Sequence, residues 1–383
     1  MTRTEACIAL NLVPNLGPVR LRKLLDQFES PERVLSARAG QLEQVPGIGP
    51  EVAAAIAQWE SSVDLQGELA KIRAFDASIL TPWDALYPHS LREIHNPPVV
   101  LYVWGEIQER DHRAVSVVGS RKSSYYGVEC AKKLSYQLAY AGLTVVSGLA
   151  RGIDTAAHQG ALAAKGRTLA VLGSGLNQLY PPENFSLAEK IAAQGAVLSE
   201  YPMDTPPAVP NFPYRNRIVA GWGSGILVVE AGLKSGALIT ANQAIDQGRL
   251  VYAVPGPIDR PTSAGTNRLI QQGAKLVTSA SDVLEDLNAL FPSAAPGSRR
   301  PAASVPGDTP PPPAPTVTPD EAQILSALVR GPRHLDELSE ACDKPGHLLS
   351  AILLGLEMRT LVEALPGTQY RLRPATAPTP QTP

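Results

Sequence analysis

Short runs of apolar residues alternate with longer amphipathic segments through the middle of this chain. The apolar runs predict short strands, at residues 99–104, 115–118, 143–147, 168–172, 197–199, 226–229, 250–254 and 275–278. The segments between them predict helices, among them residues 127–141, 153–164, 185–193 and 237–247. Near-continuous apolar strands separated by helices indicate a parallel sheet that is covered on both faces. The predicted fold class is therefore α/β, with a doubly wound and mostly parallel sheet.

Two of the predicted strands, at 115–118 and 143–147, run through glycine into a helix. Such a turn leaves unpaired backbone N–H groups and the positive end of a helix dipole facing outward. In doubly wound sheets the ligand binds at this carboxyl edge of the strands. We therefore expect a phosphate-bearing ligand on these turns. The residues predicted to bind it are Gly119, Ser120, Arg121, Lys122 and Arg151.

Three further segments carry side chains suited to a phosphate or a base. Residues 211–217 are predicted to form one turn with two arginines, and arginine gives bidentate contacts to phosphate. A third cation, Lys234, stands beside Ser235, which is suited to cap the helix predicted at 237–247. The candidates from these segments are Asn184, Phe185, Arg215, Asn216, Arg217, Lys234, Ser235 and Gly236.

Some of these side chains have an ordinary structural alternative. Phe185 would stack on a base or simply start a helix as an apolar residue. Arg217 would hold a phosphate or form an internal salt bridge, for instance with Glu230. Asp154 and His158 stand four apart on one predicted helix face and could form a general acid/base pair. For that pair, buried hydrogen bonds that hold the helix to the neighbouring turn are the favoured interpretation.

Residues 1–70 are predicted to form a helical domain with hairpin-like turns at 14–18 and 45–50. The second turn, Val-Pro-Gly-Ile-Gly-Pro, resembles a helix-hairpin-helix of SAM-like domains, whose glycines allow a tight turn and present N–H groups to a phosphate. The region holds 9 acidic and 6 basic residues, and the same hairpin often only packs helices. Helix packing is therefore the favoured role, and contact with DNA is the alternative.

The last part of the chain predicts three helices, at 320–330, 335–342 and 347–359, followed by a hairpin at 361–372 that turns at Pro366 and Gly367. This order is typical of a winged helix. Because the third helix has no positive charge between 348 and 356, a structural or protein-binding role is favoured over reading of a DNA groove. The predicted domains are 1–70 (helical), 71–290 (sheet), 291–319 (proline-rich linker), 320–373 (winged helix) and 374–383 (disordered tail).

Composition excludes several classes of protein. The three cysteines lie far apart, which is typical of a reducing cytosol rather than of a disulfide framework. There is no signal-peptide pattern and no apolar run of about 18 residues, so we expect a cytoplasmic protein without a membrane span. The P-loop, the complete GxGxxG fingerprint, the GxSxG elbow and paired metal-binding histidines do not occur, so we expect no cofactor and no metal. With a net charge of −2, any polyanion needs a local basic patch.

Taken together, the motifs of the middle region resemble the DprA/Smf family of DNA-processing proteins. They begin with Val-Gly-Ser-Arg and end with Gly-Thr-Asn, and they cover residues 115–277 almost without a gap. One departure is Gly232-Leu233, where other members can carry more positive charge. The matching segments are 118–121, 147–154 with 157–158, 170–181, 212–218, 229–231, 234–236 with 240–241, 255–256 and 265–267.

The resemblance implies an extended Rossmann-like fold that binds single-stranded DNA without strong sequence preference. It also implies a homodimer that helps to load the recombinase RecA onto incoming DNA during natural transformation. By the same resemblance, Ser120, Arg121 and Lys234 lie in the DNA pocket, and Ile270 and Leu276 lie near the dimer contact. A recombination mediator without catalytic activity is therefore the leading hypothesis.

Two alternatives stay open. The first is an enzyme that hydrolyses nucleoside monophosphates, with Glu230 as the catalytic carboxylate and residues 221–225 as the phosphate cradle. Against it, the PGGxGT-type loop expected before the acid is missing. The second is a protein adaptor, in which the sheet is a scaffold and residues 292–383 make the contacts.

Overall fold

The computed structural model describes residues 1–290, 318–329, 331–358, 361–365 and 368–372. A nine-stranded sheet lies at the centre of the first of these ranges. Its strands are β1 (Ser78–Leu80), β2 (Leu101–Gly105), β3 (Ala114–Val118), β4 (Thr144–Ser147), β5 (Thr168–Leu172), β6 (Ala196–Ser199), β7 (Gly225–Val228), β8 (Leu250–Ala253) and β9 (Lys275–Leu276). Their order is β1-β2-β6-β5-β4-β3-β7-β8-β9. The strands from β6 to β9 in this order are parallel, and β1 and β2 are antiparallel. The predicted mostly parallel sheet is confirmed.

Helices cover both faces of this sheet, as its apolar strands predict. The strands β3 to β7 are buried along their whole length. The helices are α1 (Arg3–Leu12), α2 (Pro18–Phe28), α3 (Pro31–Ser36), α4 (Ala39–Leu42), α5 (Pro50–Ala57), α6 (Trp59–Ser62), α7 (Leu65–Ala74), α8 (His89–Arg92), α9 (Tyr125–Tyr140), α10 (Ile153–Ala163), α11 (Phe185–Gln194), α12 (Asn211–Trp222), α13 (Gly236–Asp246), α14 (Ala264–Gln271) and α15 (Ser281–Leu290).

Successive residues of β5 show how the two faces are filled, because side chains alternate across a strand. Ala170 and Leu172 belong to an apolar cluster that includes α11 and the N-terminal helices. Leu169 and Val171 belong to a second cluster with α12, α13 and α14. The N-terminal helices therefore share a core with one face of the sheet. Contacts divide the chain into two compact units, Met1–Val283 and the chain from Leu284 onward.

The hairpin at 45–50 forms as predicted, with Gly47 at φ 93°. Two cations of α2 point at its carbonyl groups: Arg20 Nε donates to the Gly47 oxygen at 3.1 Å and Lys23 Nζ to the Pro46 oxygen at 3.0 Å. These hydrogen bonds pack one helical hairpin against the next. They favour the packing role for this region, whereas its contact with DNA stays an untested alternative.

One buried ion pair ties the amino-terminal ends of the central strands together. Arg167, at the start of β5, donates from Nε and Nη2 to the Asp111 carboxylate at 2.7 and 2.6 Å. The same carboxylate accepts from Thr144 Oγ1 at 2.8 Å, and Trp222 Nε1 donates to the Asp111 carbonyl at 3.0 Å. Because both ions are buried and fully hydrogen-bonded, the pair joins β4, β5 and α12 at this edge.

Beyond α15, the described residues of the second unit form three helices and a small antiparallel sheet. The helices are α16 (Pro319–Leu328), α17 (Leu335–Cys342) and α18 (Gly346–Met358), and the strands are β10 (Arg333–His334), β11 (Val362–Leu365) and β12 (Gln369–Leu372). The strand order is β10-β12-β11. Three helices and a hairpin agree with the predicted winged helix, whereas the short strand β10 was not predicted. The predicted turn at Pro366 and Gly367, the tail at 374–383 and residues 291–317 of the predicted linker lie outside the described residues.

None of the helices in the described residues has the length and apolar character needed to cross a membrane.

Replacing Asp111 by Asn should lower the free energy of unfolding by about 3–5 kcal/mol, because Arg167 then stays charged and buried without its counter-ion. Urea unfolding of the full chain, followed by circular dichroism, measures this change. Glu129→Gln is the matched control, since the Glu129–Lys132 pair is about half exposed and its removal should cost about 1 kcal/mol or less. Equal destabilisation of the two variants would contradict the structural role of the buried pair.

Candidate nucleic-acid interface

The carboxyl ends of β3, β4 and β7 open into a cleft of about 730 Å³. The strand order reverses between β3 and β7, so the chain leaves these neighbouring strands in different directions and a crevice remains between the connections. The two predicted glycine turns and the start of α13 meet here. The predicted residues that line the cleft are Gly119, Ser120, Arg121, Lys122, Arg215, Asn216, Lys234, Ser235 and Gly236.

Backbone hydrogen bonds hold the connections around the cleft in place. The Ser120 N–H donates to the Glu230 carbonyl at 2.7 Å, and the Ser120 carbonyl accepts from the Ile153 N–H at 3.2 Å. Gly152, at φ 79°, approaches so closely that a Cβ there would lie 2.3 Å from the Ser120 oxygen. A glycine is therefore required at position 152 to bring the turn after β3 against the start of α10.

Asp154 and His158 do not form an acid/base pair, because their hydrogen bonds go to different partners. The buried Asp154 carboxylate accepts from the N–H groups of Gly148 and Ala150 at 3.2 and 3.4 Å. Burial raises the pKa of this carboxyl. His158 Nδ1 lies 2.6 Å from Thr168 Oγ1. The predicted structural role is confirmed: Asp154 holds α10 to the turn after β4.

Residues 211–217 form the first half of helix α12, and the prediction of a turn there was wrong. An α-helix rotates by about 100° per residue, so Arg215 and Arg217 point to different sides. Arg215 is buried under the cleft and donates from Nη1 to the carbonyl oxygens of Gly148, at 2.8 Å, and Val171. Burial lowers the pKa of Arg215 to about 10, so it keeps its charge at neutral pH. The cleft therefore has a fixed positive charge in its floor.

Arg217 forms an internal salt bridge rather than lining the cleft. Its Nη2 lies 2.5 Å from Glu200 Oε1, its Nε donates to the Asn96 carbonyl at 3.0 Å, and only 6% of the residue is exposed. The internal salt bridge predicted as the alternative for Arg217 is therefore present, but its partner is Glu200 and not Glu230. The predicted contact of Arg217 with a phosphate is not supported by this placement, because the ion pair already satisfies the guanidinium.

The exposed cations of the cleft come from two connections, Arg121 and Lys122 from the one after β3 and Lys234 from the one after β7. Arg121 lies over the ring of Phe212, with its Cζ 5.0 Å from the ring centroid. Arg121, Lys122 and Lys234 are exposed and form no ion pair with any of the described residues. Ser235 caps α13 by accepting the Ala237 N–H at 3.3 Å. The cleft thus combines mobile positive side chains, a buried guanidinium and the amino end of a helix, which together favour an anionic ligand.

The sequence model of the family described as "DNA recombination-mediator protein A" matches residues 78–288, more than half of the chain. The chain belongs to this DprA/Smf family. Models of the "DprA winged helix domain" and of the "SAM-like Helix-hairpin-helix tandem" match residues 308–368 and 9–58. The two flanking domains are therefore of the predicted kinds.

Relatives of this DprA-family chain cover most of its length. Protein Smf of Synechocystis is 36% identical over 96% of this chain and 98% of its own. The X-ray structure of DprA from Streptococcus pneumoniae superposes with a TM-score of 0.67 and 37% identity, covering 75% of this chain and 98% of that one. The structure of DprA from Helicobacter pylori is described for its single-stranded DNA binding mode. It superposes with a TM-score of 0.50 and 28% identity, covering 57% of this chain and 97% of that one.

Three predicted residues of the DprA-family chain lie beside the cleft rather than in it. Asn184 is buried and donates from Nδ2 to the Leu149 carbonyl and Thr155 Oγ1, at 2.9 Å each. Phe185 is 47% exposed and lies against Trp104, with ring centroids 6.1 Å apart. It starts α11, as the structural alternative has it. Arg151 is exposed but forms an ion pair with Glu183.

Two aromatic residues of the cleft were not predicted as site residues. Phe212 and Tyr180 both line it, with ring centroids 5.7 Å apart. Each stands close in sequence to predicted site residues, Phe212 in the Asn-Phe-Pro start of α12 and Tyr180 in the Tyr-Pro pair before α11. The position of Phe212 depends on α12 being a helix, and an aromatic residue next to proline in a predicted turn gives no signal of it.

The enzymatic alternative has its two parts at opposite edges of the sheet. Glu230 follows β7 at the cleft edge, where it is buried and its carboxylate accepts from the Ser124 N–H at 2.8 Å. Residues 221–225 lie at the other end of β7, about 13 Å away along a strand of four residues. They cannot cradle a phosphate that Glu230 attacks. Among the described residues, no group of three His, Cys, Asp or Glu side chains is placed to hold a metal ion.

Acid should destabilise the protein through His158. Burial, helped by the charge of Arg215, lowers the pKa of His158 to about 3, whereas an unfolded histidine titrates near 6.5. Between these values the unfolded state binds the extra proton, so the free energy of unfolding falls as pH drops below about 6.5, by up to about 1.4 kcal/mol per pH unit. Urea unfolding of the wild type and of His158→Gln at neutral and mildly acidic pH should show a flatter pH dependence in the variant.

The control for this measurement is His89→Gln, because the His89 side chain is 80% exposed. This variant should keep the pH dependence of the wild type. If His158→Gln also kept it, the assignment of the acid sensitivity to His158 would be wrong.

Proposed function

We propose that this chain binds single-stranded DNA in the cleft at the carboxyl edge of the sheet, through its phosphates and without regard to base sequence. The observation that carries the proposal is the convergence of Arg121, Lys122 and Lys234 on one cleft above the buried charge of Arg215. Among the described residues that line the cleft, the one carboxylate, Asp154, is buried and accepts hydrogen bonds from backbone N–H groups, which offset part of its charge. Phosphate contacts carry no sequence information.

Aromatic rings in the same cleft explain why a single strand is preferred to a duplex. Phe212 and Tyr180 are partly exposed in the cleft. An unpaired base that stacks on such a ring does so whatever its identity. In a duplex the bases are already stacked on one another. The ligand proposed for the cleft is therefore a flexible strand whose phosphates meet the cations while its bases reach the rings. This binding requires no chemical step, and we assign the protein no catalytic activity.

The biological role proposed is that of a cytoplasmic mediator that protects incoming single-stranded DNA and helps to load RecA during natural transformation. Support comes from membership of the recombination-mediator family. It also comes from three free cysteines, Cys7, Cys130 and Cys342, which suit a reducing compartment. The nature of the proposed ligand agrees with the single-stranded DNA named for the H. pylori relative.

A homodimer is the form proposed for this function. Leu276, on the edge strand β9, is 45% exposed, and Ile270 is half-buried on the neighbouring helix α14. Exposed apolar side chains beside an open sheet edge suit an interface between two copies. Two clefts on one particle would bind the same strand together, which raises the apparent affinity without any new contact.

The first test is fluorescence anisotropy of a labelled oligo-dT with wild type and Arg121→Glu. Wild type should bind with an affinity that falls as salt rises, and the charge reversal should weaken binding about tenfold or more, since a charge-assisted contact to phosphate becomes a repulsion. RecA assembly on that oligonucleotide should be accelerated by wild type and not by the variant. Arg73→Glu is the matched control, because Arg73 is exposed on α7 outside the cleft.

Unchanged binding by Arg121→Glu would place the strand elsewhere in the chain, and absence of binding by wild type would refute the proposed function. Release of free base from a nucleotide by the purified protein would instead support the enzymatic alternative. DNA binding without any effect on RecA would leave a binding protein but remove the proposed role as mediator.

Leu276→Glu tests the proposed dimer, because a carboxylate in the apolar contact would be desolvated on association. Light scattering after size-exclusion chromatography should show a dimer for wild type and a monomer for the variant. The far-UV circular dichroism spectrum should be unchanged, since the side chain is half exposed and its replacement leaves the fold of each copy intact. A wild-type monomer, or an unchanged dimer in the variant, would contradict the assignment of this contact.

A further inference from the structure

A second groove, of about 410 Å³, continues from the cleft between α13 and α14. Lys234, Ser235 and Ile239 line both the cleft and the groove. The first turn of α13 therefore forms a shared rim, with the cleft on one side and the groove on the other. A ligand that fills the cleft and extends past Ser235 enters the groove directly.

The groove carries the same kind of chemistry as the cleft. Arg268 on α14 and Gln272, the residue that caps the end of this helix, are four residues apart and both line the groove. On α13, Leu238 and Asn242 are also four apart and lie on one face. Of the described residues that line the groove, two are cations, Lys234 and Arg268, and none is a carboxylate. Its charge therefore continues the positive charge of the cleft.

The polar side chains of the groove are available to a ligand. Arg268 is exposed and forms no ion pair within the described part of the chain. Its neighbour Asn267 is engaged instead, since its side chain bonds both the N–H and the carbonyl of Gly256, at 3.2 and 2.9 Å. These bonds fix the start of α14 against the preceding loop, so Arg268 projects from an anchored helix.

Apolar surface accompanies these polar groups. Leu233 and Ile239 are about half exposed along the rim, and Leu238 and Leu269 form part of the wall. Cations that alternate with amides and aliphatic side chains suit a strand whose phosphates, sugars and bases all meet the surface. A small phosphorylated ligand would leave most of this surface unused.

We propose that the groove between α13 and α14 binds the nucleotides that follow those held in the cleft, with Arg268 on a phosphate of the departing strand. This inference rests on the proposed function and extends it. It predicts a binding footprint longer than the cleft itself. It also assigns to α14 a role in DNA binding that is separate from the dimer contact proposed around Ile270 and Leu276.

The test is a series of oligo-dT ligands of increasing length, beginning with the shortest one that wild type binds. Arg268→Glu should bind the shortest ligand as wild type does and bind long ligands about tenfold more weakly than wild type. On long ligands the slope of log affinity against log salt should fall by about 0.7 for each phosphate that the variant no longer binds. Arg268→Gln, which removes the charge without reversing it, should lower the slope equally with a smaller decrease in affinity.

Two variants separate failure of this inference from failure of the proposed function. Arg121→Glu should bind more weakly than wild type at every length. Arg73→Glu should bind as wild type does at every length. If Arg268→Glu matched Arg73→Glu at all lengths while Arg121→Glu bound more weakly, the proposal of DNA binding in the cleft would be supported. The proposal that the strand extends into the groove would then be refuted. If wild type bound no oligonucleotide, both the proposed function and the binding of DNA in the groove would be refuted.

The other candidate for occupying the groove is a second copy of the chain. Light scattering of Arg268→Glu decides this point, because the proposal expects the mass of wild type. A changed mass together with weaker binding would make the groove an interface between copies and would overturn its assignment to DNA.

Discussion

The reversal of strand order between β3 and β7 is the constraint on which the rest of the site depends. It brings the connections after β3, β4 and β7 to one place, where their backbones approach one another closely. Gly152 answers this steric demand, because any Cβ at this position would collide with the Ser120 carbonyl. Hydrogen bonds from these turns to Glu230 and Asp154 then replace those that a regular element would have supplied.

Charge is used differently at the two edges of the sheet. At the amino edge, Arg167 and Asp111 neutralise each other in a buried pair, so the pair offers no net charge to an external ion. At the cleft edge, Arg215 donates to the carbonyl oxygens of Gly148 and Val171, and the only carboxylate in the described cleft lining, Asp154, also acts on its charge. Arg215 therefore contributes positive charge beneath the cleft, and the Asp154 carboxylate offsets part of it. The first arrangement stabilises the fold, and the second supports the anion site proposed for the cleft.

Much of this architecture could be predicted from the sequence because it follows from local patterns: apolar parallel strands, and glycines at 119 and 148 where strands end. The separation of Arg215 from Arg217 could not, since an Asn-Phe-Pro start is typical of a turn and burial against the sheet overrides that preference. Phe185 shows the same limit, because it packs on Trp104 although it follows a segment that lines the cleft. The path of the backbone in three dimensions decides which of several adjacent side chains faces a ligand.

Net charge is a poor guide to such a protein, because affinity for a polyanion depends on charge that is local and unpaired. The chain carries 36 acidic and 34 basic residues, which by itself predicts no attraction to nucleic acid. Pairing removes Arg151, Arg167 and Arg217 from the basic residues near the sheet. The cations that line the cleft would act together on the strand proposed to bind there, while acidic side chains more than about one Debye length away are screened. An acidic chain can in this way still present a concentrated positive patch at one edge of its sheet.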